Sequence, residues 1–85
     1  MSLKARHAAK GDVQLNASNL IGIIDFKKLY IQTLKKNGKG LTYDNVRMFA
    51  MGKELKDDLF LYSYDILNES TVQVMIKQQW KHTII

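Results

Sequence analysis

The alternation of apolar and polar residues predicts two strands at the start of the chain. Residues 3–7 (LKARH) and 13–17 (VQLNA) place apolar side chains at every second position, as a strand with one buried face does. Residues 8–12 (AAKGD) lie between them and include Gly11, which suits the positive φ of a tight turn. The pattern therefore predicts an antiparallel hairpin.

A helix is predicted next, because the spacing of the apolar residues changes from two to three or four. Gly22 is a suitable N-cap, and Asp25 places a carboxylate in the first turn, where the helix dipole favours it. Asn37-Gly38 predicts a left-handed stop at the other end. The predicted buried stripe of this helix consists of Ile23, Phe26, Tyr30 and Leu34.

A third strand is predicted over residues 46–51 (VRMFAM), and it raises a question about Phe49. If Met48 and Ala50 face a core, alternation turns Phe49 toward solvent, next to basic residues. A turn at Gly52-Lys53 is predicted to follow. After that turn the pattern predicts a very short strand at 54–55, a compact loop over 61–66 and a last strand over 71–77.

Composition limits the chemistry that is open to the chain. It has 85 residues, no cysteine and two histidines near opposite ends, so we expect no disulfide, metal site or cofactor. The absence of cysteine favours an intracellular setting, cytoplasmic or nuclear. No apolar run approaches the ~18–20 residues that span a bilayer. The net charge of +5 suits nucleic acid, acidic peptides or a membrane surface as a partner.

The order of elements and several particular residues together resemble the ubiquitin family. The resemblance covers residues 3–36 and 41–77, with five extra residues placed in the loop KKNGKG. The matching residues are Arg47, Gly52-Lys53, Leu55, Asp57, Leu61, Tyr64, Ile66 and Glu69-Ser70-Thr71.

This resemblance implies an α+β fold, the ubiquitin-like β-grasp, in which one main helix packs across a mixed sheet in the order ββαββ-β. It implies a domain over residues 1–78, with residues 79–85 as a C-terminal extension or the start of a linker. The implied core comprises Leu3, Ala5, Val13, Leu15, Ala17, Ile23, Phe26, Tyr30, Met48, Leu55, Leu61, Ile66, Val72 and Val74.

The resemblance also implies a role for Phe49, which takes the centre of the family's recognition surface. An apolar centre ringed by cations suits a short amphipathic helix that carries apolar anchors and carboxylates. We therefore expect ubiquitin-recognising helices or proteasome receptor subunits as partners. The neighbouring positions of this surface hold Met75, Gln73 and Ala8, and its basic rim consists of Arg47, Lys53 and Lys77.

Conjugated members of the family end in Gly-Gly, whereas the matching positions here hold Trp80 and Lys81. The resemblance therefore implies a non-conjugated domain inside a larger protein of the ubiquitin pathway, such as a shuttle factor, an adaptor or a ligase. Other domains of that parent protein are further candidate partners.

Other interpretations stay open at this point. A nucleic-acid-binding role would rest on the lysines at 27, 28, 35, 36 and 39, although no aromatic platform interleaves with them. No nucleophile–histidine–acid set appears, so we expect no enzyme. One further group is apolar where ubiquitin is mostly polar, and it predicts either a satellite core or a second contact surface; it consists of Leu20, Ile21, Ile24, Leu59 and Phe60.

Overall fold

Five strands, one α-helix and three short 3-10 helices make up the part of the chain that the computed structural model describes, residues 1–77. The strands are β1 (Ser2–His7), β2 (Gly11–Asn16), β3 (Val46–Ala50), β4 (Lys53–Glu54) and β5 (Thr71–Ile76). The helix α1 spans Ile23–Leu34, and the 3-10 helices span Lys35–Gly38, Tyr43–Asn45 and Leu61–Tyr64. The predicted boundary after residue 78 lies outside the described residues.

The strands form one mixed sheet in the order β2-β1-β5-β3-β4. Strand β1 pairs antiparallel with β2 and parallel with β5, while β5 pairs antiparallel with β3. The last strand therefore lies in the middle of the sheet, and Met48 of β3 is set opposite Val74 of β5. The α+β β-grasp fold with one helix across a mixed sheet, which the sequence predicted, is confirmed.

The core lies between α1 and the inner face of the sheet. The predicted helix stripe is buried, with no more than 8% of any of its four side chains exposed. Burial of each larger apolar side chain stabilises the fold by roughly 1.5–3 kcal/mol before conformational entropy is counted. Two predicted core residues, Val13 and Ala17, are only half-buried. Val46 was absent from the predicted core and is 1% exposed, because alternation from Met48 also turns Val46 inward.

The helix begins where predicted and ends earlier than predicted. Gly22 is the N-cap, with extended φ and ψ of −74° and 155°. At the other end, the positive φ of 54° belongs to Lys35 rather than to Asn37-Gly38. Gly38 has a different reason to be glycine. It is buried in the following 3-10 helix, where a Cβ would lie 2.4 Å from the carbonyl oxygen of Ile31.

The turn between β3 and β4 was predicted one residue too late. It consists of Met51 and Gly52, with φ angles of 54° and 80°, and Lys53 already belongs to β4. A two-residue hairpin turn with positive φ at both positions matches the twist of the flanking strands. The pairing of Ala50 with Lys53 fixes the turn at these two residues.

An ion pair between a buried lysine and an exposed aspartate attaches α1 to the loop after β4. Lys27 is 4% exposed, and its Nζ atom donates a hydrogen bond to Oδ1 of Asp57 over 2.6 Å. A lysine this buried requires a paired carboxylate, because an uncompensated charge in the interior is strongly destabilising.

The buried hydroxyl of Tyr30 makes a first prediction possible. This side chain is fully buried, and its Oη atom has no hydrogen-bond partner among the described residues. Burial also raises the pKa of Tyr30. An unpaired hydroxyl in an apolar interior costs stability, so Tyr30→Phe should stabilise the fold by about 1 kcal/mol.

Thermal unfolding measures this effect, since about 1 kcal/mol raises the melting temperature of a domain this size by roughly 4–8 °C. Tyr62→Phe serves as the matched control, because Tyr62 is 52% exposed and its hydroxyl reaches water. A Tyr30→Phe variant that melts below the parent protein would contradict the prediction.

Candidate protein-binding surface

The side of the sheet that faces away from α1 is open to solvent. On β3 and β5, alternate side chains point outward: Arg47, Gln73 and Met75 are exposed and Phe49 is half-buried. The register sets Phe49 opposite Gln73 and Arg47 opposite Met75. Directly opposite residues share a face of the sheet, so these four side chains form one contiguous surface. We call it the open sheet face.

Phe49 is partly covered by a cation of its own strand. The guanidinium carbon of Arg47 lies 5.3 Å from the centroid of the Phe49 ring, which is the geometry of a cation–π contact. Met75 on the neighbouring strand remains 55% exposed. Arg47 therefore covers one side of the Phe49 ring. Met75 lies diagonally across from Phe49 on β5.

Arg47 is also bound by a carboxylate. Its Nε and Nη2 atoms each donate a hydrogen bond of 2.9 Å to the two carboxylate oxygens of Glu54 on β4. The hydrogen-bonded guanidinium of Arg47 holds the pKa of Glu54 below its usual value. The carboxylate of Glu54 raises the pKa of Arg47 in return. On the same face, beyond β5, Arg6 of β1 lies beside Gln73 and forms a similar ion pair with Asp12 of β2, with 3.1 Å between Arg6 Nε and Asp12 Oδ1. Both arginines near Phe49 therefore carry a compensated charge.

Lys53, predicted as part of the basic rim, occupies a different position from Arg47. The register sets it opposite Ala50, which is only 4% exposed and belongs to the inner side of the sheet. The residue opposite Phe49 on β4 is Glu54. Lys53 therefore lies at the end of the sheet edge, and an acidic residue takes the place beside Phe49.

The other two predicted neighbours lie at the ends of strands. Lys77 is exposed and directly follows β5, where alternation places it on the open side with Gln73 and Met75. Its backbone is fixed, because its N–H donates to the carbonyl oxygen of Asn45 over 2.7 Å and its carbonyl accepts from Asn45 Nδ2 over 3.1 Å. Ala8 is exposed in the turn after β1.

A second exposed apolar area lies where the start of α1 meets the loop before the 3-10 helix Leu61–Tyr64. We call it the Phe60 surface, and it consists of Leu20, Leu59, Phe60 and Tyr62, which are between 38% and 68% exposed. The Phe60 and Tyr62 rings stack with their centroids 5.4 Å apart and their planes at 10°. Of the two other residues predicted in this group, Ile21 packs against the core and Ile24 is half-buried.

The lysines of the helix do not form one uniform basic face. Lys27 is buried against Asp57, and Lys28 lies 5.7 Å from the centroid of the Tyr43 ring. A groove of about 430 Å³ runs beside this contact, between α1 and residues 41–43, with a mostly apolar lining. Lys35, Lys36 and Lys39 remain exposed in the segment that follows α1.

Among residues 1–77, no three histidine, cysteine or acidic side chains come together in a group that could hold a metal ion. The same part of the chain holds no helix with the length and apolar character needed to cross a membrane.

The family of the chain follows from its fold together with a comparison of sequences. The model of the ubiquitin family matches residues 27–79, which is well over half of the chain. The chain therefore belongs to the ubiquitin family. No curated protein matches it. The hairpin of β1 and β2 precedes the matched range, and the structure supplies the two strands that complete the sheet.

The sequence analysis does not predict that Glu54 and Tyr62 belong to these surfaces. The sequence predicts a short strand at Glu54 and gives its side chain no role. The signal was the hairpin itself, because a strand that directly follows β3 through a tight turn places its side chains beside those of β3. The sequence predicts a compact loop at Tyr62 and gives it no role. Its signal was an aromatic residue, Phe60, two positions earlier in the same segment. The Glu54 contact depends on the pairing of β4 with β3, whereas the Phe60–Tyr62 stack lies within one segment.

The Arg47–Glu54 pair predicts a pH-dependent change on the open sheet face. Because the pKa of Glu54 is lowered by Arg47, Glu54 stays charged below the pH at which an ordinary glutamate takes up a proton. The stabilisation from this pair is fully present above the unfolded-state pKa of about 4.3. It is lost as the pH falls through the lower, folded-state pKa.

A carboxyl-detected NMR titration of the native domain measures this pKa directly. Arg47→Gln is the informative variant, and it should return the pKa of Glu54 toward its ordinary range. Arg6→Gln is the matched control, because Arg6 pairs with Asp12 instead. An unchanged pKa in Arg47→Gln would show that the pair does not hold in solution.

Proposed function

We propose that this ubiquitin-family domain is a protein-interaction module that binds a partner helix on its open sheet face. The observation that carries the proposal is the pair of adjacent apolar side chains, Phe49 and Met75, on a sheet face that nothing else in the described chain covers. Two such residues with charged neighbours have the composition of an interaction centre with a polar rim.

The charges around Phe49 indicate the chemistry of the partner. Lys77 offers a cation without a carboxylate partner among residues 1–77, whereas Arg47 is engaged by Glu54. A partner carboxylate would have to compete with Glu54 for Arg47, so docking exchanges one ion pair for another. The net gain from such an exchange is small, and the apolar contacts supply most of the affinity.

The partner of this proposal is a short amphipathic helix with apolar residues along one side and carboxylates beside them. Helices of this kind occur in ubiquitin-recognising proteins, including ubiquitin-interacting motifs and receptor subunits of the proteasome. Binding should be weak, roughly micromolar to millimolar, because the apolar area is small against the fixed cost of association. Methionine at position 75 adapts its shape to partners that differ in detail.

The wider context of the domain belongs to the same proposal. A module that only binds would serve in a larger shuttle factor, adaptor or ligase of the ubiquitin pathway, without catalytic activity of its own. The sequence supports the non-conjugated type, since Trp80 and Lys81 stand where conjugated relatives have glycines. Those two positions lie outside the residues that the structure describes.

Phe49→Ala should weaken binding to such a helix by about 1–3 kcal/mol, as expected for loss of a central apolar anchor. The measurement is an NMR titration of the labelled domain with a panel of ubiquitin-interacting helices. Phe60→Ala is the matched control, because it makes the same substitution at an exposed phenylalanine of the Phe60 surface. Unfolding in urea shows whether either variant loses stability.

The proposal fails if the panel shifts the resonances of Phe49, Gln73 and Met75 no more than those of the rest of the chain. Glu54→Gln adds a second test of the charge exchange. It releases Arg47 from its carboxylate, so it should strengthen binding to an acidic helix. Weaker binding by Glu54→Gln would show that Glu54 itself contacts the partner.

The absence of a terminal glycine pair leads to a separate prediction about conjugation. Incubated with ubiquitin-activating enzyme and ATP, the chain should form no thioester, because Trp80 is too large for a channel that accepts only glycine. Ubiquitin serves as the positive control in the same reaction. A reducible adduct detected by electrophoresis would overturn this part of the proposal, while leaving the binding role of the open sheet face untouched.

A further inference from the structure

Backbone hydrogen bonds hold together the two segments that carry the Phe60 surface. Three backbone hydrogen bonds join its two segments: Ile23 N–H to Leu59 O, Leu61 N–H to Ile21 O and Tyr62 N–H to Asn19 O, each 3.0–3.1 Å long. Gly22 and Phe60 also form an isolated bridge. The stacked rings are therefore presented from a fixed backbone, and little conformational entropy remains to be lost when they are covered.

The Phe60–Tyr62 pair differs from two half-buried aromatic rings, Phe49 and Tyr43, in what lies over it. Phe49 is covered by Arg47 and Tyr43 by Lys28, both within the cation–π distance. Among residues 1–77, no lysine or arginine lies over Phe60 or Tyr62. In a chain of net charge +5, this ring pair is left without a cation.

Three carboxylates lie close along the chain to the segments of this surface, which the hydrogen bond from Ile23 N–H to Leu59 O brings together. Asp58 directly precedes Leu59, Asp25 lies in the first turn of α1, and Asp65 follows the 3-10 helix that carries Tyr62. None of the described basic residues forms an ion pair with these three carboxylates, since Lys27 is engaged by Asp57. Between residues 54 and 76 of the sequence Lys56 is the single basic residue, and its charge acts on Glu54.

We propose that the Phe60 surface is a docking site for a basic segment of a partner protein. An arginine of that segment stacks on the Phe60–Tyr62 ring pair between the carboxylates, and a neighbouring apolar side chain covers Leu20. A planar guanidinium suits both halves of this site, because it stacks on aromatic rings and pairs with carboxylates. The opposite chemistry, an acidic helix, is the one proposed for the open sheet face, so the domain has two sites for oppositely charged partners.

The test uses a peptide of stated composition, acetyl-leucyl-arginyl-alanyl-leucyl-arginine amide, and a twin in which citrulline replaces both arginines. Citrulline keeps the shape of arginine and removes its charge. In an NMR titration of the labelled chain, the arginine peptide should shift residues 19–25 and 58–63. The citrulline twin should bind about three- to ten-fold more weakly, as loss of cation–π and ion-pair contacts predicts.

Matched variants locate the binding. Tyr62→Ser and Asp58→Asn should each weaken binding of the arginine peptide by about three-fold or more. Tyr62→Phe keeps the ring and should bind as the parent does. Asp44→Asn, an exposed carboxylate on another part of the chain, and Phe49→Ala should leave the affinity unchanged. The amide dispersion of each variant shows that it is folded.

Three outcomes would overturn the proposal. Equal binding of the two peptides would show that no cation is recognised. Shifts confined to the open sheet face would place the peptide elsewhere. Shifts at the Phe60 surface that grow with protein concentration and without peptide would make a second copy of this chain the occupant. Because Phe49→Ala is a control here and the test variant for the open sheet face, failure of one proposal is distinguishable from failure of the other.

Discussion

The position of β5 between β1 and β3 is the constraint on which the rest of the structure depends. Strand β5 is the last of the five in sequence and the central one in space, so the sheet is complete only when both ends of the chain are in place. Its inward residues Val72 and Val74 belong to the core, and its outward residues Gln73 and Met75 belong to the open sheet face. A slip of one residue would exchange these two sets, so burial of the valines fixes the register.

That register also determines what surrounds Phe49. It brings Gln73 to one side of Phe49 and sets Arg47 opposite Met75, while the pairing of β3 with β4 brings Glu54 to the other side. The result is a pair of apolar side chains whose nearest cation, Arg47, is already paired with Glu54 within the sheet. Such a surface differs from a simple basic rim, because the cation nearest the apolar centre is available to a partner only in exchange for Glu54.

The two surfaces have different physical origins. The open sheet face arises because, within residues 1–77, α1 is the one α-helix and it covers only one side of the sheet. The Phe60 surface follows from the backbone pairing of residues 59–62 with residues 19–23, which turns apolar side chains outward at the start of α1. The two surfaces share no residue, so one chain offers an apolar centre with basic neighbours and an aromatic pair with acidic ones.

The sequence alone determined the order of the elements, the helix stripe and most of the core, because these depend on periodicities of two and of three to four that a local pattern carries. It also indicated that Phe49 faces outward, since alternation along one strand is a local property. The turn at Met51-Gly52 and the end of α1 at Leu34 were each misplaced. A turn is fixed by strand pairing, and Gly38 is required by its approach to the Ile31 carbonyl, which no local pattern encodes.

What only the tertiary structure decided are the partners of the charged groups. Arg47 with Glu54 and Arg6 with Asp12 are pairs between neighbouring strands, and Lys27 with Asp57 joins residues 30 positions apart in the chain. A lysine on a helix is usually solvated, so sequence reasoning counted Lys27 among the exposed cations. Its burial depends on a loop that folds back against α1, and such a long-range contact is set by the packing of the whole domain.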